Sequence, residues 1–272
     1  MTSPSDQVNP GTALVTGASS GIGATYADKL AKRGYDLVLV ARNAARLEAL
    51  AERLRAETGR TIDVFPADLG DKADLARVEQ RIADDTSLTF LVNNAGLSLE
   101  GDTLENTPDE IERILAINVT AAARLAVAAG RAFAERGQGA IVNTASVLGI
   151  DYDFYEGVYA GSKAFLIALS GNIAARVRDK GVRVQALLPG ATRTEIWELA
   201  GKDVNAFPPE WLMDVNDLVD AALVGLDRGE EVTIPPLADE ALWTAFDDAR
   251  LAMKGKLSNR DVAARYREPV GA

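Results

Sequence analysis

The sequence predicts an α/β fold, a doubly wound parallel sheet in one main domain with a C-terminal helical extension. Three observations carry that expectation. Short apolar runs alternate with longer amphipathic stretches along most of the chain. The runs are continuously apolar, as strands buried on both faces are. No Gly/Ser/Pro-rich linker and no internal repeat breaks the order. Strands alternating with helices in this way form parallel sheets with crossover helices on both sides.

Residues 1–11 carry Pro4, Pro10 and Gly11 and read as a loose tail. The main domain spans 12–235. Ala13–Thr16 is the first strand and runs into TGASSGIG, residues 16–23. A helix follows to Arg33 and stops at Gly34. Asp36–Ala41 is the second strand, and Asn43 caps a helix to about Thr58. Thr61–Phe65 is the third strand, followed by Asp68 and Leu69 and a polar helix over 71–84. Leu88–Val92 is the fourth and ends in NNAG, residues 93–96. A helix over 109–136, a strand at 140–145, a helix at 157–179 and a strand at 182–188 continue the alternation. Asp217–Asp227 reads as a helix and Glu231–Ile234 as a last short strand, ended by Pro235 and Pro236. The extension, 236–272, carries two further helical patterns at 238–254 and 259–267.

Composition narrows the chemistry. The chain of 272 residues is 47% hydrophobic and 25% charged, enough to bury a substantial core. Its net charge of −11 argues against nucleic-acid and anionic-membrane partners. No run of about 18 apolar residues is evident, and the N-terminus lacks a basic-then-apolar leader pattern. Cysteine and histidine are both absent. Disulfides, thiolate nucleophiles and Cys or His metal sites are excluded, and no metal is expected. Acid–base work falls to Tyr, Lys, Asp or Glu. The missing cysteines fit a cytoplasmic enzyme.

TGASSGIG lies between a predicted strand and a predicted helix, the context a phosphate-binding glycine turn requires. Gly17 suits a tight turn, Gly21 a close approach of pyrophosphate, and Gly23 close packing of helix on strand. Ser19, Ser20 and Ile22 complete the loop, and the helix N-terminus offers free N–H groups to phosphate. The spacing is G-x-x-x-G-x-G, so an ordinary glycine-rich turn is the competing reading. In dinucleotide folds an acid at the end of the second strand holds the ribose 2′-OH of NAD. Here Arg42 stands there instead, and a guanidinium suits a 2′-phosphate. NADP(H) is therefore expected over NAD(H), with Ser19 and Ser20 near that phosphate. A solvated Arg at a helix start is the alternative.

The second constellation is Ser146–Lys163. Ser146 follows the apolar run Gly139–Ala145, Tyr159 comes thirteen residues later, and Lys163 four after that. On a helix, Tyr159 and Lys163 share one face. A strand end and a helix face then bring a hydroxyl, a phenol and an ammonium into one cleft.

Taken together, these stretches resemble the short-chain dehydrogenase/reductase family. The matching pieces are TGASSGIG (16–23), Asp68–Leu69, NNAG (93–96), Asn118, Ser146, YAGSK (159–163) and Pro189–Gly190, which span 16–190 in the family's order. The resemblance implies a Rossmann-like sheet of about seven parallel strands and hydride transfer between a nicotinamide cofactor and a carbonyl or secondary alcohol. By position, Asp68 and the backbone of Leu69 would meet adenine, and Asn94, Ala95 and Gly96 would line the adenine-ribose side. Pro189, Gly190, Thr192 and Thr194 would meet the nicotinamide or pyrophosphate. Asn118 would hold a helix kink and a water in a proton relay. Ser146 would hold the substrate oxygen, Tyr159 would exchange its proton, and Lys163 would bind the nicotinamide ribose and acidify Tyr159. A free Tyr pKa of about 10 must fall by ~3 units, worth roughly 4 kcal/mol. A unit charge at ~4 Å supplies about that at an effective dielectric near 20.

The substrate pocket is expected from Leu97, Leu148, Tyr152, Phe154, Tyr155 and Trp197, with 191–213 as a mobile lid. Those aromatics suggest a largely apolar ketone or alcohol, though packing alone would also explain several of them. Asp151, Asp153 and Glu156 face solvent or select a polar group. Ala-rich faces (Ala121–Ala123, Ala128–Ala129, Ala174–Ala175) suggest a homodimer or homotetramer, with tight packing inside one subunit as the other possibility. Two other functions compete: a non-catalytic NADP-binding sensor, and an epimerase or dehydratase using Asp153 or Glu156.

Overall fold

A computed structural model describes residues 10–99, 101–154, 156–194 and 207–267. One sheet holds seven strands: β1 (Thr12–Thr16), β2 (Asp36–Ala41), β3 (Ile62–Pro66), β4 (Leu88–Asn93), β5 (Gly139–Thr144), β6 (Val182–Leu187) and β7 (Val232–Thr233). Their spatial order is β3-β2-β1-β4-β5-β6-β7, and every neighbouring pair is parallel. The order reverses at β1, whose neighbours β2 and β4 leave it in opposite directions. A crevice opens there beyond the carboxyl ends of the strands.

Helices α1 (Gly21–Lys32), α2 (Ala44–Thr58) and α7 (Val215–Arg228) cover one face. Their apolar stripes, among them Tyr26, Leu30, Leu47, Leu54, Val219 and Leu223, pack on Val15, Leu39 and Val92 of the sheet. Helices α3 (Lys72–Asp84), α5 (Ala122–Arg136) and α6 (Gly157–Val177) cover the other, against Leu14, Val38, Leu91 and Ile141. Adjacent strand residues thus enter opposite cores, so the strands carry no polar face. The ends follow local chemistry. Asn43 accepts from Arg46 N at the start of α2, Gly59 closes that helix at φ +67, and Asp71 caps α3.

The predicted helix over 109–136 is not one regular helix. It comprises α4 (Pro108–Leu115), a π-helical segment Ala116–Ala121 that contains Asn118, and α5. Pro108 and the Thr107–Glu110 capping box set its start. Pro108–Arg136 is long and apolar enough by composition to cross a bilayer, and its Leu125, Ala126, Ala129 and Phe133 are buried against the sheet. Four of the alanines expected to face a partner subunit, Ala121, Ala122, Ala129 and Ala174, are buried within this subunit, at 3% exposure or less. For these the packing alternative holds.

Contact clustering divides the chain into Met1–Pro236 and Leu237–Ala272. The second unit holds α8 (Glu240–Ala252), where Trp243 stacks on Phe246 with ring centroids 5.5 Å apart. The helix expected over 259–267 reduces to a 3₁₀ turn at Ala264–Tyr266. So short a segment without a buried face gains too little from packing to offset helix nucleation.

A polar rung crosses the core between β4, β5 and α6. Asn93 Nδ2 donates to the Ala122 carbonyl (2.7 Å) and to Asn143 Oδ1 (3.0 Å). Asn143 Nδ2 donates to Ser170 Oγ (2.9 Å), which donates to the Leu166 carbonyl. All three side chains are buried, so each bond removed strands a donor without water. Asn143→Ala is expected to cost about 2 kcal/mol and to lower Tm by roughly 5 °C, read by thermal unfolding. An unchanged Tm would show that the rung is dispensable.

Candidate active site

The glycine turn leaves β1 at Thr16. The Thr16 hydroxyl accepts from the main-chain N–H groups of Asn94 (2.9 Å) and Ala95 (3.0 Å), and Asn94 Nδ2 donates to the Thr16 carbonyl (3.1 Å). These bonds tie the ends of β1 and β4 together at the crevice. They also leave little room. A Cβ on Gly17, at φ +65, would lie 2.9 Å from Asn94 Nδ2, and one on Gly23 would lie 2.3 Å from the Gly17 carbonyl oxygen. Gly21 adopts φ +51 and opens α1. Ser20, the N-cap, makes no side-chain bond to the helix, and the first turn holds no acid. The positive end of α1 faces the crevice with no acid of its own in the first turn.

A cleft of about 1410 Å³ crosses these strand ends. Gly17, Ser19, Ser20, Gly21 and Ile22 line one side, with Arg42 beyond β2 and Asp68 and Leu69 beyond β3. Asn94, Ala95 and Gly96 line it after β4, and Pro189, Gly190, Thr192 and Thr194 after β6. Thr194 closes toward the glycine turn, since a Cβ on Gly21 would sit 3.2 Å from Thr194 Cβ. Gly23 is not part of the lining and packs behind the turn. Arg46 lines the cleft beside Arg42 and was not foreseen from the sequence. Its signal was there: the Asn43 cap fixes where α2 begins and so places Arg46 in the first turn, above the end of β2. The Asp68 carboxylate accepts from Gly70 N (2.9 Å), which holds it in a tight turn at the cleft edge.

Ser146, Tyr159 and Lys163 line the same cleft. Ser146 lies just past β5 with an extended backbone, and its Oγ accepts from Leu148 N (3.2 Å), leaving the hydroxyl proton to donate elsewhere. Tyr159 and Lys163 lie one turn apart on α6. Lys163 is 5% exposed, its Nζ donates to the Thr144 carbonyl (2.9 Å), and it stands 5.4 Å from the centre of the Tyr159 ring. Burial disfavours its charge and pulls its pKa down to about 8. Asn118 does not reach the cleft wall. It is buried in the π-helical segment, where Oδ1 accepts from Leu97 N (2.8 Å) and Nδ2 donates to the Leu97 carbonyl (2.9 Å) and Ser162 Oγ (3.1 Å). A Cβ on Gly96 would lie 3.3 Å from Asn118 Oδ1 and 3.5 Å from Lys163 Nζ, so this glycine sits between the two.

At the far end Leu97, Leu148 and Phe154 line the cleft with Phe207, Trp211 and Met213. The Phe154 and Trp211 rings meet at 5.9 Å. Tyr152 is not in the lining and is 64% exposed. Tyr155 and Trp197 lie outside the described residues. Of the three loop acids, Asp151 lines the cleft; Asp153 is exposed and outside it, and Glu156 is buried at the start of α6. The two ends of the predicted lid are joined by a parallel bridge between Thr192 and Met213, with Met213 N on the Ala191 carbonyl (3.0 Å) and Arg193 N on the Met213 carbonyl (3.1 Å).

A glycine turn at the switch point and a Ser, Tyr and Lys in one cleft define a nucleotide-dependent oxidoreductase of the doubly wound class. The family model for short chain dehydrogenase matches residues 11–205, and the chain belongs to that family. It is an oxidoreductase acting on alcohol and carbonyl groups. A short-chain dehydrogenase from Sphingobium yanoikuyae in complex with NADPH matches with a TM-score of 0.92 and 49% identity, over 94% of this chain and 100% of that one. The bulky-bulky ketone specific alcohol dehydrogenase from Comamonas testosteroni matches at 0.88 and 46%, over 95% and 99%. Human 17-beta-hydroxysteroid dehydrogenase type 3 is 31% identical over 195 residues, 71% of this chain and 62% of that enzyme's length.

Proposed function

We propose that the protein is an NADP(H)-dependent reductase of bulky, largely apolar ketones, working also as a dehydrogenase of the matching secondary alcohols. The observation that carries this is the buried Lys163 ammonium against the Tyr159 ring, beside Ser146, in the cleft that the glycine turn enters. The cofactor fits the residues present: the Ser20 cap makes no side-chain bond to the α1 N-terminus, Arg42 stands where an NAD-selecting acid would be, and Arg46 lines the cleft beside it. The solved relative bound to NADPH and the ketone-specific relative support the same reading.

When bound, NADPH supplies the hydride to the carbonyl carbon. Ser146 donates its hydroxyl proton in a hydrogen bond to the carbonyl oxygen. Tyr159 passes its phenolic proton to that oxygen, and Lys163 stabilises the phenolate left behind. Arg42 and Arg46 hold the 2′-phosphate. The ammonium lies over the Tyr159 ring, 5.4 Å from its centre, and its charge favours phenolate over phenol. Asn118 acts indirectly by fixing Leu97 and the wall that carries Gly96. The aromatic far end, lined by Phe154, Phe207, Trp211 and Met213, holds the apolar substituents of the ketone. The epimerase or dehydratase reading loses both of its acids, since Glu156 caps α6 and Asp153 is outside the lining. A cytoplasmic homo-oligomer is the assembly we propose, with the exposed Leu115 and Phe165 in its contact surface.

Three measurements test this reading. Tyr159→Phe is expected to bind NADPH within about twofold of the parent and to lose at least about a thousandfold in kcat for ketone reduction, followed at the nicotinamide absorbance band. Turnover near the parent rate would sink the mechanism. Removing both arginines, Arg42→Ala with Arg46→Ala, is expected to weaken NADPH by at least about tenfold and leave NADH nearly unchanged. Tighter NADH than NADPH binding by the parent would refute the cofactor assignment. Lys163 is charged below pH about 8 and neutral above it. Reduction should therefore hold level below that pH and decline above it as the phenolate loses its cation; a profile that rises through pH 9 would contradict this role.

A further inference from the structure

A buried carboxylate beside the proposed proton donor has no part in the transfer itself. Glu156 is 3% exposed and is the N-cap of α6. Its Oε1 accepts from Val158 N (2.7 Å) and Asn106 Nδ2 (2.8 Å), and its Oε2 accepts from Tyr159 N (2.6 Å). The first helical amide, Gly157 N, donates to Thr103 Oγ1 (2.6 Å). Side chains thus engage the amides of 157, 158 and 159 in succession.

That matters because of where Tyr159 sits. It is the third residue of α6, in the turn whose amides have no carbonyl one turn back to bond. Lys163 is a turn further on, anchored at its tip by the Thr144 carbonyl. The phenol and the ammonium are therefore held by different bonds, and only the phenol rides on the end of the helix that frays. Ser, Thr, Asp and Asn are the usual caps. A Glu is one methylene longer than Asp, and here its reach spans both amides while Asn106 holds the carboxylate from outside the helix.

We propose that Glu156, braced by Asn106, is a positioning residue that fixes the main chain of Tyr159 and so keeps the phenol in place for proton transfer. This rests on Tyr159 being the proton donor. Thr103 and Asn106 belong to the segment between β4 and α4, which also supplies Leu97 to the cleft.

The test compares Glu156→Ala, Glu156→Asp and Asn106→Ala with the parent, at a temperature well below each Tm. Cofactor affinity is read by NADPH fluorescence and turnover by the nicotinamide band. Glu156→Ala should lower kcat by about tenfold or more with NADPH affinity within twofold, since small displacements of a reacting group cost rate before they cost binding. Glu156→Asp restores an ordinary cap and should bring Tm back near the parent, yet leave kcat about threefold or more below it because the shorter carboxylate loses Asn106. Asn106→Ala should likewise lower kcat by about threefold with little change in Tm. Parent-like kcat in Asn106→Ala and Glu156→Asp would overturn the proposal, as would a loss of turnover that only tracks lost NADPH binding. Those two variants carry the test should Glu156→Ala not fold. An active Tyr159→Phe would remove the mechanism itself, whereas an inactive one beside a full-rate Glu156→Ala would remove the positioning role alone.

Discussion

Burial of the Lys163 ammonium is the constraint on which the cleft depends. Taking a cation out of water costs several kcal/mol unless the surroundings compensate it. Here the Thr144 carbonyl and the Tyr159 ring supply that compensation. For them to do so, β5 must end with a carbonyl turned toward α6, and α6 must cross the sheet at that height. Gly96 lies alongside, where a Cβ would come within 3.5 Å of Lys163 Nζ and 3.3 Å of Asn118 Oδ1. Strand end, helix and glycine are thus parts of one arrangement around a single charge. On the proposed mechanism, a site built this way would hold its cation at the point where negative charge develops.

The nucleotide half obeys a different constraint, that of close approach. Thr16 draws β1 and β4 together, and the glycines let the turn fold back within contact distance of Asn94 and of itself. The cleft is consequently polarised. Its nucleotide end carries Arg42, Arg46 and the uncapped dipole of α1, whereas its far end is bounded by Phe154, Trp211, Leu148 and Met213. On the proposed function, phosphates would lie at the first end and an apolar body at the second, both within reach of the cleft that Ser146, Tyr159 and Lys163 line.

Much of this was legible in the sequence. Continuous apolar strands in alternation with helices predict the doubly wound sheet, and its core pattern of adjacent residues entering opposite faces is the physical reason. The cleft residues that announce themselves do so through special chemistry: glycines at a strand end, Arg where an acid is usual, Tyr and Lys one turn apart. Arg46 escaped notice because its place depends on where a cap starts a helix. Glu156 escaped because a carboxylate in a loop looks solvated until its three donors are seen. Four of the alanines expected at a subunit contact, Ala121, Ala122, Ala129 and Ala174, are buried inside the subunit. Small residues permit close packing but do not say whether the neighbour is another subunit or the same sheet. The π-helical turn around Asn118 was likewise invisible to periodicity, being an insertion of hydrogen-bond register rather than of composition.

The bridge between Thr192 and Met213 has a consequence beyond closing the pocket. A segment whose two ends are pinned to each other is, to the sheet, a short connection whatever it contains. Loop closure depends only weakly on length once the ends are fixed. The stretch from 193 to 212 is therefore joined to the sheet at one place, by the two main-chain bonds that Met213 makes with Ala191 and Arg193. On the proposed function, a change of length there would leave the strands, the glycine turn and the Tyr–Lys pair in place, because a longer segment between joined ends costs little more to close.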